Sequence, residues 1–408
     1  MGKKILYISY EGMTDSLGQS QVIPYLLGLT RLGHSITIIS AEKKKYLIKE
    51  GTQVSISLSA SGIKWFPVAY SNAIPGFSQR MNYRRLFVKA FRLQKKNYFD
   101  IVHCRSYIPS LIGLQLKRRH QLKFIFDMRG FWADERVEGN LWNLKNPLYH
   151  WAYRFFKKKE AEFLIDSDAV VSLTDNAKQE ILSWKKTAVL PDKITVIPCC
   201  TDLDLFSERG FEEKTKSFFK DKYGITNEDF VISYSGSVGT WYLIDEMLLF
   251  FSRLKTHKQN SKFLILTPEI HHQFLCDAVE KAGLNPKDVI VYAARRNEMP
   301  MLLSLSNASV FFIKSTFSKK ASSPTKMGEL MSLGIPVFCN KGIGDVDQIL
   351  TETNAGILIE DFSIKSFDTA IKKYFAASFS ADKIREGAEK FFSLDKGIQQ
   401  YNHIYLSL

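Results

Sequence analysis

The sequence predicts an α/β protein of two doubly wound domains. Three observations carry this: a length of 408 residues, short apolar runs alternating with helical stretches, and a break after which the alternation starts again. A single hydrophobic core stops growing near ~250–300 residues, so a chain this long divides. Its apolar share of 45% and charged share of 24% exclude a disordered chain.

The elements follow in order. Lys3–Tyr10 reads as a first buried strand. It fails as a secretion signal, because its apolar run is only Ile5–Ile8 and no small-residue cleavage site follows. Ser20–Leu32 has helical apolar spacing, with Pro24 in the first turn and Gly33 at the C-cap position. Ser35–Ser40 is a second strand. This βαβ unit, with glycines in its first loop, opens a doubly wound, Rossmann-like domain. Phe99–Cys104, Lys123–Asp127, Ala169–Leu173 and Ile194–Pro198 continue it as short apolar strands of the buried parallel kind. Cys199–Phe206 lacks periodicity and reads as a linker, which closes a first domain at 1–205.

The second half repeats the pattern over 206–385. Phe230–Tyr234, Phe263–Thr267, Val289–Tyr292, Ser309–Ile313, Pro336–Cys339 and Gly356–Ile359 read as strands with helices between them. The last stretch is helical and carries Phe391, Phe392, Tyr401 and Tyr405. Residues 386–408 are expected to cross back and pack on the first domain. Ligands of open α/β sheets bind beyond the carboxyl ends of the strands. Two such domains are therefore expected to face a cleft with two walls, suited to a two-substrate transfer.

Charge is uneven. Residues 1–205 hold 31 Lys and Arg against 18 Asp and Glu, so nearly all of the net +14 lies in the first half. A basic half meets something anionic: nucleic acid, a membrane surface or a phosphorylated substrate. No run of ~18 apolar residues suggests a spanning helix. The five cysteines are scattered, with no CxxC, which fits a reducing cytoplasm and neither a disulfide scaffold nor a zinc site.

The segment Ala321–Val337 concentrates chemistry. Pro324 suits a helix N1 position, with Ser322 or Ser323 as its cap. A helix start bearing Ser323, Thr325 and Lys326 is an anion site fit for a diphosphate. Glu329, one turn on, can accept the hydroxyls of a ribose. The plain alternative is a capped surface helix with a solvated Lys326–Glu329 pair.

Ser323-Pro-Thr-Lys326, then Glu329, then Gly334-Ile-Pro-Val337 resembles the donor-binding helix of retaining glycosyltransferases of the GT-B fold, in their large family 4. Other segments agree in order: Leu32-Gly-His34, Asp100-Ile-Val-His103, Ser167–Thr174, Ile197-Pro198 with Asp202 and Phe206, and the loop Ser235–Thr240. The resemblance implies a transferase moving a sugar from a nucleotide diphosphate to an acceptor with retention, by front-face attack and without an enzyme nucleophile. It implies that Glu329 meets the ribose. Ser323, Thr325 and Lys326 would meet the diphosphate, and Gly236, Ser237, Gly239 and Thr240 would approach the phosphates from the other side. Two positions depart from the pattern. Ala321 stands where a first glutamate is usual, and the arginine and lysine that often follow the glycine loop are missing. Arg295 and Arg296 are candidate replacements, with a solvated loop as the alternative.

In the first domain, Gly18, Gln19 and Ser20 can present N–H groups at a helix start. His103 and Arg105 sit at a strand end, where the histidine is a candidate to touch the transferring sugar or assist proton movement. Asp127–Arg136 starts at another strand end. There Arg129 can grip a phosphate, and Asp134 and Glu135 can bind sugar hydroxyls. Each of these has a plain structural alternative: a capped turn, a core histidine, a cover loop with ion pairs.

Gln79–Tyr98 is a basic amphipathic helix, and Trp151–Phe163 adds Lys157, Lys158 and Lys159 after aromatics. Either fits a solvated face over a packed stripe, or an anionic membrane. Asp202-Leu-Asp204 and Asp345-Val-Asp347 are short acidic matches that read as linker and helix cap, so no essential metal and no cofactor are expected. The expected partners are a nucleotide sugar and a saccharide or lipid-linked saccharide acceptor. The setting is cytoplasmic or peripheral on the inner membrane face, in cell-surface polysaccharide or glycoconjugate synthesis. A dinucleotide-dependent oxidoreductase fits less well, since no GxGxxG follows the first strand and no acidic residue closes the second at Ser40. A nucleic-acid binder lacks a reading motif.

Overall fold

The computed structural model describes residues 2–73, 77–185, 187–207 and 213–408. The chain forms two compact units. The first is Met1–Cys200 with Lys320–Ser322 and Leu394–Leu408; the second is Thr201–Lys319 with Ser323–Ser393.

Among the described residues the first unit has a sheet of seven parallel strands. They are β1 (Lys4–Ser9), β2 (Ser35–Glu42), β3 (Lys64–Ala69), β4 (Ile101–Arg105), β5 (Lys123–Asp127), β6 (Ala169–Ser172) and β7 (Ile194–Val196). Their order is β3-β2-β1-β4-β5-β6-β7. Leu6, Val102 and Phe124 join one apolar cluster, while Ile5, Tyr7, Ile101 and Ile125 join another. Burial on both faces is why these strands read as unbroken apolar runs.

Three details differ from the sequence reading. β3 is not announced by the pattern: it is an edge strand, mostly half-exposed and carrying Pro67, which an edge tolerates. β2 runs on to Glu42, so an acidic residue does close the second strand. Its buried carboxylate is consumed by the N–H groups of Met13 and Thr14 and the hydroxyls of Thr14 and Ser40. It pins the first loop and has no free lone pair for a dinucleotide ribose. The expected helix Ser20–Leu32 is two helices, Ser16–Gln21 and Ile23–Arg31, broken at Val22.

The helix Leu394–Ser407 belongs to the first unit. Ile398, Tyr401, Ile404 and Tyr405 are buried in its core. Gly28 lies so close to Ile398 that an added Cβ would sit 2.3 Å from its Cδ1, so that position admits only glycine without repacking.

The second unit has six parallel strands among the described residues. They are β8 (Phe230–Ser235), β9 (Ser261–Leu266), β10 (Val289–Tyr292), β11 (Ala308–Phe311), β12 (Val337–Asn340) and β13 (Gly356–Ile359). The order β10-β9-β8-β11-β12-β13 reverses direction between β8 and β11. Doubly wound sheets bind ligands at such a switch point, beyond the strand ends. The loop after β8 and the helix Thr325–Ser332 after β11 both lie there.

Candidate functional site

In the second unit the site is built around one buried amine. Lys326 lies in the first turn of the helix Thr325–Ser332 and is 7% exposed. Its Nζ has no hydrogen-bond partner. It sits 3.7 Å from the ring centre of Tyr242, 4.3 Å from that of Tyr234 and 5.8 Å from that of Phe311. Ring faces attract a cation but give it no hydrogen bond. Burial holds the Lys326 amine well below the usual lysine range, partly opposed by Glu329. A cation so placed has no anion within hydrogen-bonding reach.

The loop after β8 closes over this amine. Gly236 has φ +137°, and a Cβ there would stand 2.9 Å from Lys326 Nζ. Only glycine combines that backbone angle with that approach. Gly239 also has positive φ, as does Thr240. Tyr234 donates its hydroxyl to the Ser237 carbonyl at 2.6 Å, which fixes the loop to the strand. Ser237, Gly239 and Thr240 are exposed.

The helix starts one residue later than expected. Pro324 is its N-cap, not its first residue, and no side chain caps it. The N-cap position therefore falls on proline and not on serine, and of the first-turn N–H groups that of Met327 bonds the Pro324 carbonyl at 3.0 Å. Ser323 and Thr325 flank Pro324, both half-buried. Ala321 is buried.

Glu329 is 5% exposed and pairs with Arg296, whose guanidinium lies 4.7 Å from the Phe206 ring centre. Burial pushes the Glu329 carboxyl up, and Arg296 pulls it back. Arg295 is exposed, with its backbone N–H on Glu298 at 2.7 Å, and the next residue, Arg296, is the one whose guanidinium pairs with the helix Thr325–Ser332. The aromatic cage and the Arg296 contact were not in the sequence reading. They come from four separate segments that only the fold brings together.

In the first unit the strand ends gather a polar cluster around Asp127. This buried carboxylate accepts from Tyr401 at 3.2 Å and lies 3.4 Å from His103 Nε2. Arg105 and Arg129 stand at 4.0 and 3.8 Å. Burial alone would raise its pKa, but Arg129, His103 and Arg105 outweigh that and hold it low. Asp127 Oδ1 and Arg129 Nε have no hydrogen-bond partner. Arg129 sits at φ +58°. Arg105 donates to Glu11 at 3.0 Å.

Three sequence expectations need correction here. His103 is 2% exposed, with Nδ1 on the Tyr405 hydroxyl at 2.8 Å and Nε2 toward Asp127. Both ring nitrogens are engaged, and burial lowers its pKa against the pull of Asp127, so it holds no spare position for a sugar. The helix begins at Ser16, so Gly18 is still in its first turn, whereas the Gln19 N–H is already taken by Asp15 O at 3.0 Å. Gly18 is needed for packing, since a Cβ there would meet Gly12 O at 2.1 Å. Asp134 is engaged by Tyr153 at 2.9 Å and Lys157 at 2.8 Å, in a network that includes Glu160 and Tyr107. Glu135 is half-buried on the same short helix, Trp132–Glu138.

The two acidic matches serve the backbone. Asp202 accepts from the N–H groups of Asp204 and Leu205, and Asp347 from that of Gly342. No helix of the described residues is long and apolar enough to cross a membrane.

Comparison with known proteins adds to this geometry. Residues 22–205 match the family model described as Glycosyltransferase Family 4, and residues 215–391 the one described as Glycosyl transferases group 1. No curated protein matches the chain in sequence. Among solved structures, a glycosyltransferase from Rickettsia africae superposes with a TM-score of 0.73 at 18% identity, covering 99% of this chain and 98% of that one. Anabaena Alr3699/HepE, solved in complex with UDP-glucose, gives 0.71 at 13%, covering all of both chains. WaaG, a glycosyltransferase involved in lipopolysaccharide biosynthesis, gives 0.66 at 14%, covering 96% and 97%. At such identities the likeness establishes the GT-B fold.

Proposed function

We propose, from the premise that this chain belongs to the GT-B glycosyltransferases of the group 1 type, that its second unit holds the diphosphate of a nucleotide-sugar donor. Its first unit takes the acceptor, a saccharide carried on a lipid. The sugar keeps its anomeric configuration, and the product enters cell-surface glycoconjugate synthesis.

One observation carries the donor assignment: the buried, unpartnered amine of Lys326 under the Gly236 loop. A diphosphate supplies the missing anion. It forms charge-assisted hydrogen bonds with Nζ and with N–H groups at the start of the helix Thr325–Ser332. Those donors also stabilise the negative charge that grows on the leaving diphosphate. Neighbouring structures support the ligand class, with UDP or UDP-glucose in Alr3699/HepE and ADP in Arabidopsis starch synthase IV.

Glu329 accepts the ribose hydroxyls, and Arg296 keeps it ionised. The reaction asks for no enzyme nucleophile, because the acceptor attacks from the face the diphosphate leaves. No divalent metal is required in this reading, since Lys326 and the helix start supply the positive charge a metal otherwise brings. Arg105 and Arg129 remain as acceptor-side cations in the first unit. His103 acts there as a positioning group for Asp127 and Tyr405.

Calorimetry with UDP, GDP, dTDP, ADP and CMP tests the assignment. One diphosphate should bind, and Lys326→Ala and Glu329→Ala should each weaken it at least tenfold. Unchanged binding or turnover in both variants would overturn it.

A further inference from the structure

The helix Pro147–Asp166 of the first unit carries an outer face that the donor assignment does not use. A groove of about 730 Å³ runs along its start, lined among others by Lys145, His150, Trp151, Arg154, Phe155 and Lys158. Trp151 is 63% exposed and stacks on Phe155 at 5.5 Å. Leu148 at 64% and Leu141 at 55% are also exposed nearby in the chain. No carboxylate lines the groove, and no described carboxylate pairs with Lys145, Arg154 or Lys158. Lys157 and Lys159 of the same helix are already spent on Glu160 and Glu162.

The sequence points to Gln79–Tyr98 as the basic amphipathic helix, but the helix that forms there, Phe77–Asn97, buries its apolar stripe. Leu86, Ala90 and Leu93 lie in the core, and Phe87 and Phe91 pack against it. It offers cations alone. The face of Pro147–Asp166 offers cations together with a protruding tryptophan and leucines. That is the composition of a bilayer interface, where Trp sits at headgroup depth and Lys and Arg reach the phosphates. A second copy of the chain fits poorly, because a two-fold contact would set Lys145, Arg154 and Lys158 against their own kind. Exposed leucines have no counterpart in phosphate-backbone binding of nucleic acid.

We propose that this face docks the protein on an anionic lipid surface. The inference rests on the lipid-borne acceptor of the proposed function and names the contact that brings the enzyme to it.

Co-sedimentation of the full chain with phosphatidylcholine vesicles, with and without about one-third phosphatidylglycerol, tests it. The chain should partition onto the charged vesicles only. Each surface cation contributes about fivefold, so Lys145→Glu, Arg154→Glu and Lys158→Glu together should lower partitioning about a hundredfold or more. Trp151→Ser should lower it severalfold, most clearly where salt screens the charges. Arg80→Glu with Arg84→Glu, on the exposed side of Phe77–Asn97, should cost far less. The proposal fails if this control releases the protein as fully as the triple variant. It fails equally if the wild type ignores charged vesicles, or if an RNA oligonucleotide binds through the same three residues in their place. Diphosphate calorimetry in parallel shows each variant folded, and separates loss of membrane contact from failure of the donor assignment.

Discussion

Arg296 and Glu329, 33 residues apart in the chain, form an ion pair in the second unit that ties the loop after β10 to the helix Thr325–Ser332. The carboxylate is nearly enclosed, with its side chain 6% exposed, while the guanidinium is 36% exposed. The charged groups facing Glu329 are Arg296 and Lys326. Arg296 therefore does more than neutralise: it sets the orientation of one carboxylate oxygen and leaves the other for a ligand.

Removing that guanidinium should make donor binding pH-sensitive. Burial already pushes the Glu329 carboxyl up, and without Arg296 it rises further. Protonated, it accepts ribose hydroxyls less well. Arg296→Ala should weaken diphosphate binding about tenfold at neutral pH, with recovery as the pH is raised and the carboxylate ionises. Arg296→Lys should restore most of the neutral-pH affinity. Calorimetric titrations from neutral pH upward check it. A pH-independent loss would mean that Arg296 touches the nucleotide directly.

Lys326 should trade stability for binding. Its folded-state pKa is depressed, so between that value and ~10.4 the unfolded chain binds more protons and stability rises with pH. Below it, the full cost of a buried unpaired cation is present. Lys326→Met replaces the amine with an apolar chain of similar length. It should stabilise the protein by about 1–3 kcal/mol, or roughly 2–5 °C in Tm, and weaken the diphosphate about a hundredfold. Wild-type binding should also take up protons, making the calorimetric enthalpy depend on the buffer. A less stable Lys326→Met would show that the aromatic cage stabilises the ammonium.

Gly236 should tolerate no side chain. Gly236→Ala puts a methyl group 2.9 Å from Lys326 Nζ and forces alanine to φ +137°. The lysine end can swing aside, so the strain amounts to about 1–3 kcal/mol of stability. The displaced amine should lower diphosphate affinity more than tenfold. Gly239→Ala, with φ +107° and nothing within 4 Å of the new Cβ, bears the backbone strain alone and separates the two effects. Equal losses in both would assign the effect to the backbone.

The legible and illegible parts of this protein divide by distance along the chain. Lys326 and Glu329 lie on one helix beside a proline, so spacing alone singles them out. The cage of Tyr234, Tyr242 and Phe311 and the reach of Arg296 depend on which strands pair, and no local pattern states that. β12 is buried along its whole length and reads clearly, whereas the edge strand β3 has no buried residue and carries Pro67. The second strand reads as ending at Ser40, short of Glu42, because groups that satisfy this carboxylate, on Met13 and Thr14, lie 29 and 28 residues away. His103 drew a functional reading from its strand-end position. The groups that occupy it, Tyr405 and Asp127, come from the far C-terminus and the next strand.

His103 should show its role in the pH dependence of folding instead of that of catalysis. Burial keeps it neutral in the folded state, against Asp127, with Arg105 and Arg129 adding to the depression. A histidine depressed in the fold stabilises above its unfolded value of ~6.5, and that contribution is lost as pH falls below it. Wild-type stability should therefore drop by up to about 1.4 kcal/mol per pH unit on this account as the pH falls below ~6.5. His103→Gln cannot titrate. It should start lower at pH 7.5, having lost the fit to Tyr405 and Asp127, yet fall less steeply with acid. Denaturant melts of both proteins at several pH values decide the matter. If His103→Gln keeps its stability but loses turnover, with KM unchanged, the histidine takes part in the chemistry after all. If it shows the flatter acid limb with turnover preserved, its work is to anchor the helix Leu394–Ser407 to the sheet of the first unit.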